Sequence, residues 1–175
     1  VTKNAEQVNV TGNPEEYEYY LKGKYKFDKR TTLEDLKISQ GMLEQAITLD
    51  SNLVSAINLL GTTYNFENKL DKSEEIFKKA KDVSLRLNNM VAHSAALGGL
   101  AVIKYFRGEI DDALGLMLEA KSIAEEAGDK GQVARNLNNI SLIYSARGDN
   151  QQALKTLFEM LAISESLDDK KKLAY

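Results

Sequence analysis

The sequence has no cysteine, no tryptophan, one histidine and one proline. Without cysteine neither a disulfide framework nor a thiolate metal site can form. A single histidine, His93, makes a histidine-based zinc site and a Ser/His/Asp set implausible; a lone histidine near a helix start reads as a surface or capping residue. No apolar run approaches the roughly 20 residues that a membrane-spanning helix needs, and no segment has the pattern of a signal peptide. A Gly-rich phosphate loop is missing too, because Gly98-Gly99 falls inside a helical stretch and no Lys-Ser/Thr pair follows it. The paired acids Glu74-Glu75, Asp111-Asp112 and Glu125-Glu126 are sequence neighbours on helices, so their carboxylates do not face each other. No catalytic set, metal or cofactor is expected, and the chain reads as a non-enzyme.

The charge balance excludes another class. The net charge is −3, with acids and bases interspersed. Direct nucleic-acid binding would need a clustered basic surface. The nearest basic run, Lys170-Lys171-Lys172, follows Asp168-Asp169 and reads as a solvated helix start. Val/Ile/Thr alternation is also scarce, which leaves little room for a sheet. The fold class is therefore all-α.

What is present is helix periodicity in a chain of 175 residues that is 43% hydrophobic and 28% charged, enough to bury a core. Residues 1–13 are polar and aperiodic and read as a linker; their Asn9-Val10-Thr11 triplet fits a glycosylation acceptor, a pattern common by chance. Asn13-Pro14 starts a helix that carries Tyr17, Tyr20, Leu21, Tyr25 and Phe27. Thr32 and Asp35 resemble a capping box opening a second helix, Leu33 to Leu49. Asp50-Ser51-Asn52 closes that helix and caps the next. Further helices are expected at about Leu53–Glu67, Asp71–Leu87, Met90–Arg107, Ile110–Ala127, Gly131–Arg147 and Asn150–Leu167. Asp168-Asp169 is expected to end the last, with 169–175 starting another.

The helices repeat. Asn68, Gly108 and Gly148, all suited to a left-handed turn, are 40 residues apart, as are the small residues Ser73, Ala113 and Ala153 and the corners Asn88-Asn89, Gly128-Asp129 and Asp168-Asp169. Between the first two units the step is shorter: Ala46 to Ala80 is 34. Fixed periods of this size mark a solenoid whose units cannot bury their apolar faces alone.

A helix–turn–helix unit with Leu60-Gly61 and Tyr64 in its first helix and Ser73, Phe77 and Ala80 in its partner resembles the tetratricopeptide repeat. Leu100, Ala101, Ala113, Met117 and Ala120 fill the same places in the next unit, and Ile140, Ser141, Tyr144, Ala153, Leu157 and Met160 in the last. The first unit fits through Leu21, Tyr25, Ser39, Leu43 and Ala46 if about five extra residues sit near Asp28–Thr32. The resemblance implies a right-handed α-solenoid of about four hairpins, in units of about 14–50, 53–88, 90–128 and 130–168. It departs from the family in lacking a Pro after each second helix and in its 40-residue units. Residues 13–25 further resemble the opening of arrays fused to bacterial class III nucleotidyl cyclases or to transcriptional regulators. The first residue, Val, reads as the start of a piece cut from a longer chain, and the resemblance implies that the parent is a bacterial signalling protein, expected to be cytoplasmic.

Carrying over the family's groove-facing places implies a binding surface. The first unit contributes Glu16, Tyr19, Gly23, Lys26 and Phe27, and the second Ser55, Asn58, Thr62, Asn65 and Phe66. The third contributes Ala95, Gly98, Val102, Tyr105 and Phe106, and the fourth Arg135, Asn138, Leu142, Ser145 and Ala146. An amide side chain such as Asn58 or Asn138 can pair with both the N–H and C=O of an extended peptide, and the aromatics are anchors of the kind that dominate binding energy. The places that hold a chaperone tail's carboxylates carry Tyr19 and Gly23, so that ligand is disfavoured. The expected function is a protein-interaction module binding a peptide or partner domain. The alternatives are a self-association module that forms a homodimer through its C-terminal face, or a ligand sensor regulating an attached domain.

Overall fold

The computed structural model describes residues 14–172, and side chains through Leu167. Among them it has eight helices: α1 (Pro14–Asp28), α2 (Leu33–Leu49), α3 (Val54–Phe66), α4 (Leu70–Arg86), α5 (Met90–Phe106), α6 (Ile110–Glu126), α7 (Lys130–Arg147) and α8 (Asn150–Lys172). No described helix is long and apolar enough to cross a membrane. The linker, its Asn9-Val10-Thr11 triplet and the cap at Asn13 lie outside the described residues.

The punctuation of the sequence sets the helix ends. Thr32 and Asp35 form the reciprocal capping box at the start of α2. Asn89 and Asp129 cap α5 and α7 by accepting from Ala92 and Gln132. Leu53, not Asn52, stands at the start of α3 and offers no side-chain cap; Asn52 instead accepts a bond from Arg86 on α4 (2.6 Å). The left-handed positions are Asn68, Asn88, Gly108, Gly128 and Gly148, with φ between 51° and 85°. At each, two amide groups return to the last turn of the helix, as in Gly108 to Tyr105 and Glu109 to Lys104 (both 3.0 Å).

The corner expected at Asp168-Asp169 does not form. α8 runs through it to Lys172, because nothing there has glycine's freedom to turn left-handed and Asp-Asp-Lys is compatible with a continuing helix. Residues 168–172 thus extend the fourth hairpin instead of opening a fifth.

Consecutive helices pack as antiparallel hairpins, and the first helix of each touches its counterpart in the next: α1 with α3, α3 with α5, α5 with α7. Among the described residues the backbones of α2 and α4, of α4 and α6, and of α6 and α8 do not approach each other in this way; α6 and α8 meet through the Lys121–Glu159 ion pair at 3.4 Å. One layer is therefore crowded and the other splayed. The stack curves with α1, α3, α5 and α7 on its inner face.

Each hairpin is closed by small residues. Ser73 donates to the Gly61 carbonyl and Ser39 to the Gly23 carbonyl, both at 2.8 Å. These equivalent bonds span 12 residues in the second unit and 16 in the first, so the inserted turn has four extra residues. They also correct the register of α1. Gly23, not Lys22, is the counterpart of Gly61, so Leu21 does not stand at the place of Leu60, and Glu16 takes the buried place held by Val54 in α3. Leu21 and Tyr25, expected on the apolar face, are exposed.

Phe77 on α4 binds neighbouring units together. Its ring is 2% exposed and fills a slot between Gly61 of its own unit and Gly99 on α5. A methyl group at Gly61 would lie 3.0 Å from the ring, and one at Gly99 only 2.3 Å. Beside it, Arg107 after α5 reaches back to Asp71 (2.8 Å) and Glu74 (2.5 Å) on α4. Arg147 reaches Asp111 in the same way one unit later, at 3.4 Å.

Candidate functional site

The inner face gathers the residues that the sequence nominates, but unevenly. The C-terminal ends of α1, α3 and α5 form an aromatic rim. Phe27 and Phe66 meet edge to face with ring centroids 5.4 Å apart. Tyr105 and Phe106 do the same at 5.7 Å. Phe66 and Phe106 are more than half exposed, whereas Tyr105 and Val102 lean on the core built by Ala101, Leu114, Met117 and Ile140. At the far end Arg135, Asn138 and Leu142 are exposed together on α7, with Ser145 and Ala146 beyond them.

Other nominated residues are not free to bind. Tyr19 packs with Tyr20 against Leu43, Ala46, Ala56 and Leu60. Gly23 is buried under α2, where a methyl group would sit 2.9 Å from Leu43. These two reflect the register slip in α1. Gly98 faces α7, with Asn136 Oδ1 3.3 Å from where its Cβ would be. Asn58 and Asn138, equivalent in sequence, differ in setting. Asn58 donates its amide to the Ala92 carbonyl at 3.0 Å, so its donor end ties α3 to α5. Its Oδ1, like that of Asn65, is buried without a hydrogen-bond partner. No bond involving the Asn138 amide forms among the described residues; only its backbone carbonyl is engaged, by Ser141 (2.7 Å). The peptide-reading role expected of both therefore suits Asn138 alone.

Two features escaped the sequence reading. The first is Arg30, in the inserted turn after α1. Its guanidinium carbon lies 3.9 Å from the Phe27 centroid and 4.0 Å from that of Phe66, and Nη1 donates to the Phe27 carbonyl at 2.6 Å. The acids nearby in sequence are engaged elsewhere. Asp28 pairs with Lys24 (2.8 Å). Burial would raise the Glu67 carboxyl, but hydrogen bonds from Gln40 (2.7 Å) and Lys69 (3.0 Å) outweigh it and hold it below its ordinary value.

The second is a buried polar chain under the other end of the face. Arg135 donates Nε and Nη2 to Gln132 (3.0 and 2.8 Å), Gln132 donates to Asn136 (3.0 Å), Asn136 to Ser94 (3.2 Å), and Ser94 to the Ala120 carbonyl (2.6 Å). At the places of Gln132 and Asn136 the preceding unit has Ala92 and Ala96. Polarity that hydropathy assigns to the surface is here used between α7, α5 and α6.

Two recesses lie off this face: one of about 500 Å³ along α4, lined by Glu75, Lys79 and Arg86, and one of about 150 Å³ among α6, α7 and α8. An open, curved surface with aromatic knobs suits an elongated or large partner better than an enclosed small molecule.

Residues 92–166 match the family model described as tetratricopeptide repeat. These residues are tetratricopeptide repeat. No curated protein matches the chain, but solved structures do. One is a signal transduction ATPase with numerous domains and a tetratricopeptide repeat sensor from Pyrococcus horikoshii, at TM-score 0.73 and 18% identity over 87% of this chain and 24% of that one. Another is a Rap protein complexed with competence and sporulation factor, at TM-score 0.69 and 17% identity over 94% and 58%. A third is BtubC from P. vanneervenii, at TM-score 0.67 and 17% identity over 87% and 64%. The array spans less than two thirds of each of these neighbours, and identities this low establish the shared fold alone.

Proposed function

We propose that the array is a non-catalytic interaction module that holds a peptide or a partner domain on its inner face, within a larger cytoplasmic signalling protein. The observation that carries this reading is the aromatic rim, with Phe66 and Phe106 exposed and Tyr105 and Phe27 half-buried beside them, on the layer that also presents the free Asn138 amide. Exposed aromatics clustered on a rigid scaffold are the composition of binding hot spots. The Rap protein complexed with competence and sporulation factor has the same fold, which supports the use of such a scaffold for partner capture. A photo-crosslinking residue placed at Leu142 in the longer protein should trap a partner that one at Lys79, on the outer layer, does not. Adding Asn138→Ala with Tyr105→Ala should abolish the adduct and leave the helical circular dichroism unchanged. Adducts of equal yield from both layers would refute the inner-face assignment.

A second reading is favoured by α8. Leu114 and Met117 on α6 are 8% and 0% exposed, covered by α7, whereas their counterparts Leu154 and Leu157 on α8 are 56% and 39% exposed. With Phe158 and Leu161 they form an apolar stripe at helical spacing. Self-association through this stripe would pair two parent chains. Sedimentation of the fragment should then show a dimer that Leu157→Glu with Phe158→Glu dissolves; a strict monomer at high concentration sinks this reading.

A further inference from the structure

The geometry points to a carboxylate-binding subsite at Arg30, so that the partner held on the inner face is an acidic peptide whose Asp or Glu side chain docks between α1 and α3 beside an apolar residue. This rests on the inner-face reading above and names the chemistry of its ligand.

Three observations carry it. The guanidinium carbon lies 3.9 Å from the Phe27 ring centroid and 4.0 Å from that of Phe66. The rings are inclined at 75° to each other, so the planar cation lies flat on one of them at most and is held in the angle between them; what it offers a ligand is its N–H donors. One of those donors is used, on the Phe27 carbonyl; an arginine has five, so a bidentate pair remains for a planar acceptor. No acid pairs with Arg30 among the described residues, although other arginines and lysines there form ion pairs. An arginine fixed in orientation and left without a counter-ion is pre-organised, so a carboxylate docking there orders little that is not already ordered.

Charge complementarity along the face agrees. The chain as a whole is acidic, at −3. Yet at the other end of the inner face Arg135 also lacks an acid partner and bonds only to neutral Gln132, and the one acid on the α1 rim, Asp28, is matched by Lys24. The unpaired charge on this face is positive at both ends. The exposed Phe66 ring next to Arg30 supplies the apolar contact, and a partly shielded site raises the worth of the ion pair above that of a solvated one.

The test is a random octapeptide library displayed on phage and panned against the immobilised 175-residue chain, with Arg30→Gln and Arg30→Lys chains panned in parallel. The selected pool should be enriched in Asp or Glu beside an aliphatic or aromatic residue. A fluorescein-labelled member should bind at least about tenfold more weakly to Arg30→Gln by anisotropy. Arg30→Lys should recover little, because an ammonium cannot present two parallel donors or stack. Matching circular dichroism would show that the variants are folded. Selected peptides without acids, or an affinity unchanged by Arg30→Gln, would overturn the subsite while leaving inner-face binding standing if Asn138→Ala with Tyr105→Ala still weakens them. A library that enriches nothing, or only peptides indifferent to both changes, would overturn both readings.

Discussion

Replacing glycine by alanine should have opposite signs at different places in this molecule, and the difference measures how the units are joined. Gly99 lies within α5, where alanine is intrinsically better by roughly 1 kcal/mol. Its added methyl, however, would sit 2.3 Å from two carbons of the Phe77 ring, against the ~3.5–4.0 Å at which carbon atoms rest. The ring has little room to retreat, because on its other side it already lies so near Gly61 that a methyl there would be 3.0 Å from it, and Phe77 is almost wholly buried. An overlap above 1 Å belongs at the upper end of the roughly 1–3 kcal/mol that overpacking costs. After the helix-propensity gain, Gly99→Ala should still destabilise by about 2 kcal/mol. Gly41 in α2 and Gly115 in α6 meet nothing within 4 Å of an added methyl, so Gly41→Ala and Gly115→Ala should each stabilise by about 0.5–1 kcal/mol.

Urea unfolding followed by circular dichroism reads all three changes on one scale. The decisive control is Phe77→Leu. In that background Gly99→Ala should be neutral or stabilising, which gives a coupling of about 2 kcal/mol between two residues on neighbouring units. If Gly99→Ala raises the midpoint as Gly41→Ala does, or if its effect is the same with Leu at position 77, the slot is not what holds the second unit to the third.

Further outcomes follow from polar groups inside the array. Asn136→Ala should cost about 1–3 kcal/mol, because it leaves the buried Gln132 amide without its acceptor. The double change Gln132→Ala with Asn136→Ala, which restores the alanines of the preceding unit, should cost less than the sum of the two singles in a urea cycle. For His93, burial holds the imidazole below its ordinary 6.5, with the nearby Glu119 opposing and Lys81 reinforcing. Below pH 6.5 the unfolded chain then binds more protons than the folded one, so stability should be full above that value and fall as pH drops through the folded value. Urea midpoints between pH 7.5 and 5 should show this slope, and His93→Gln should flatten it. The contributions of Glu67 and Glu74 begin lower, near their ordinary 4.5, and stay out of that window.

The readable parts of this fold are those where a position admits few residue types. A left-handed turn takes Gly or Asn, and a close helix crossing takes Gly, Ala or Ser. Such residues recur every 40 positions, so turns, hairpins and period all show in the sequence. The first unit lacks that constraint. Four extra residues in its turn shift the helix relative to its partner, and α1 is rich in tyrosines that make several apolar faces look alike. A buried Glu16 and exposed Leu21 and Tyr25 then run against hydropathy, and the inner-face residues inferred there slip by one.

The same cause explains which part of the candidate face was missed. Asn138, Leu142, Tyr105 and Phe106 sit in well-kept units, and position within the repeat is enough to find them. Arg30 has no repeat position at all, since it belongs to the insertion. Its setting needs the end of α1 and the end of α3 together, and Phe27 and Phe66 are 39 residues apart in sequence. An insertion that breaks the period is invisible to a search for the period. It is also where the array departs from a repeated scaffold, and where a feature specific to one ligand can be added without disturbing the stacking of the units. If the Arg30 subsite holds its carboxylate, specificity in this array resides at the one turn that the repeat does not dictate.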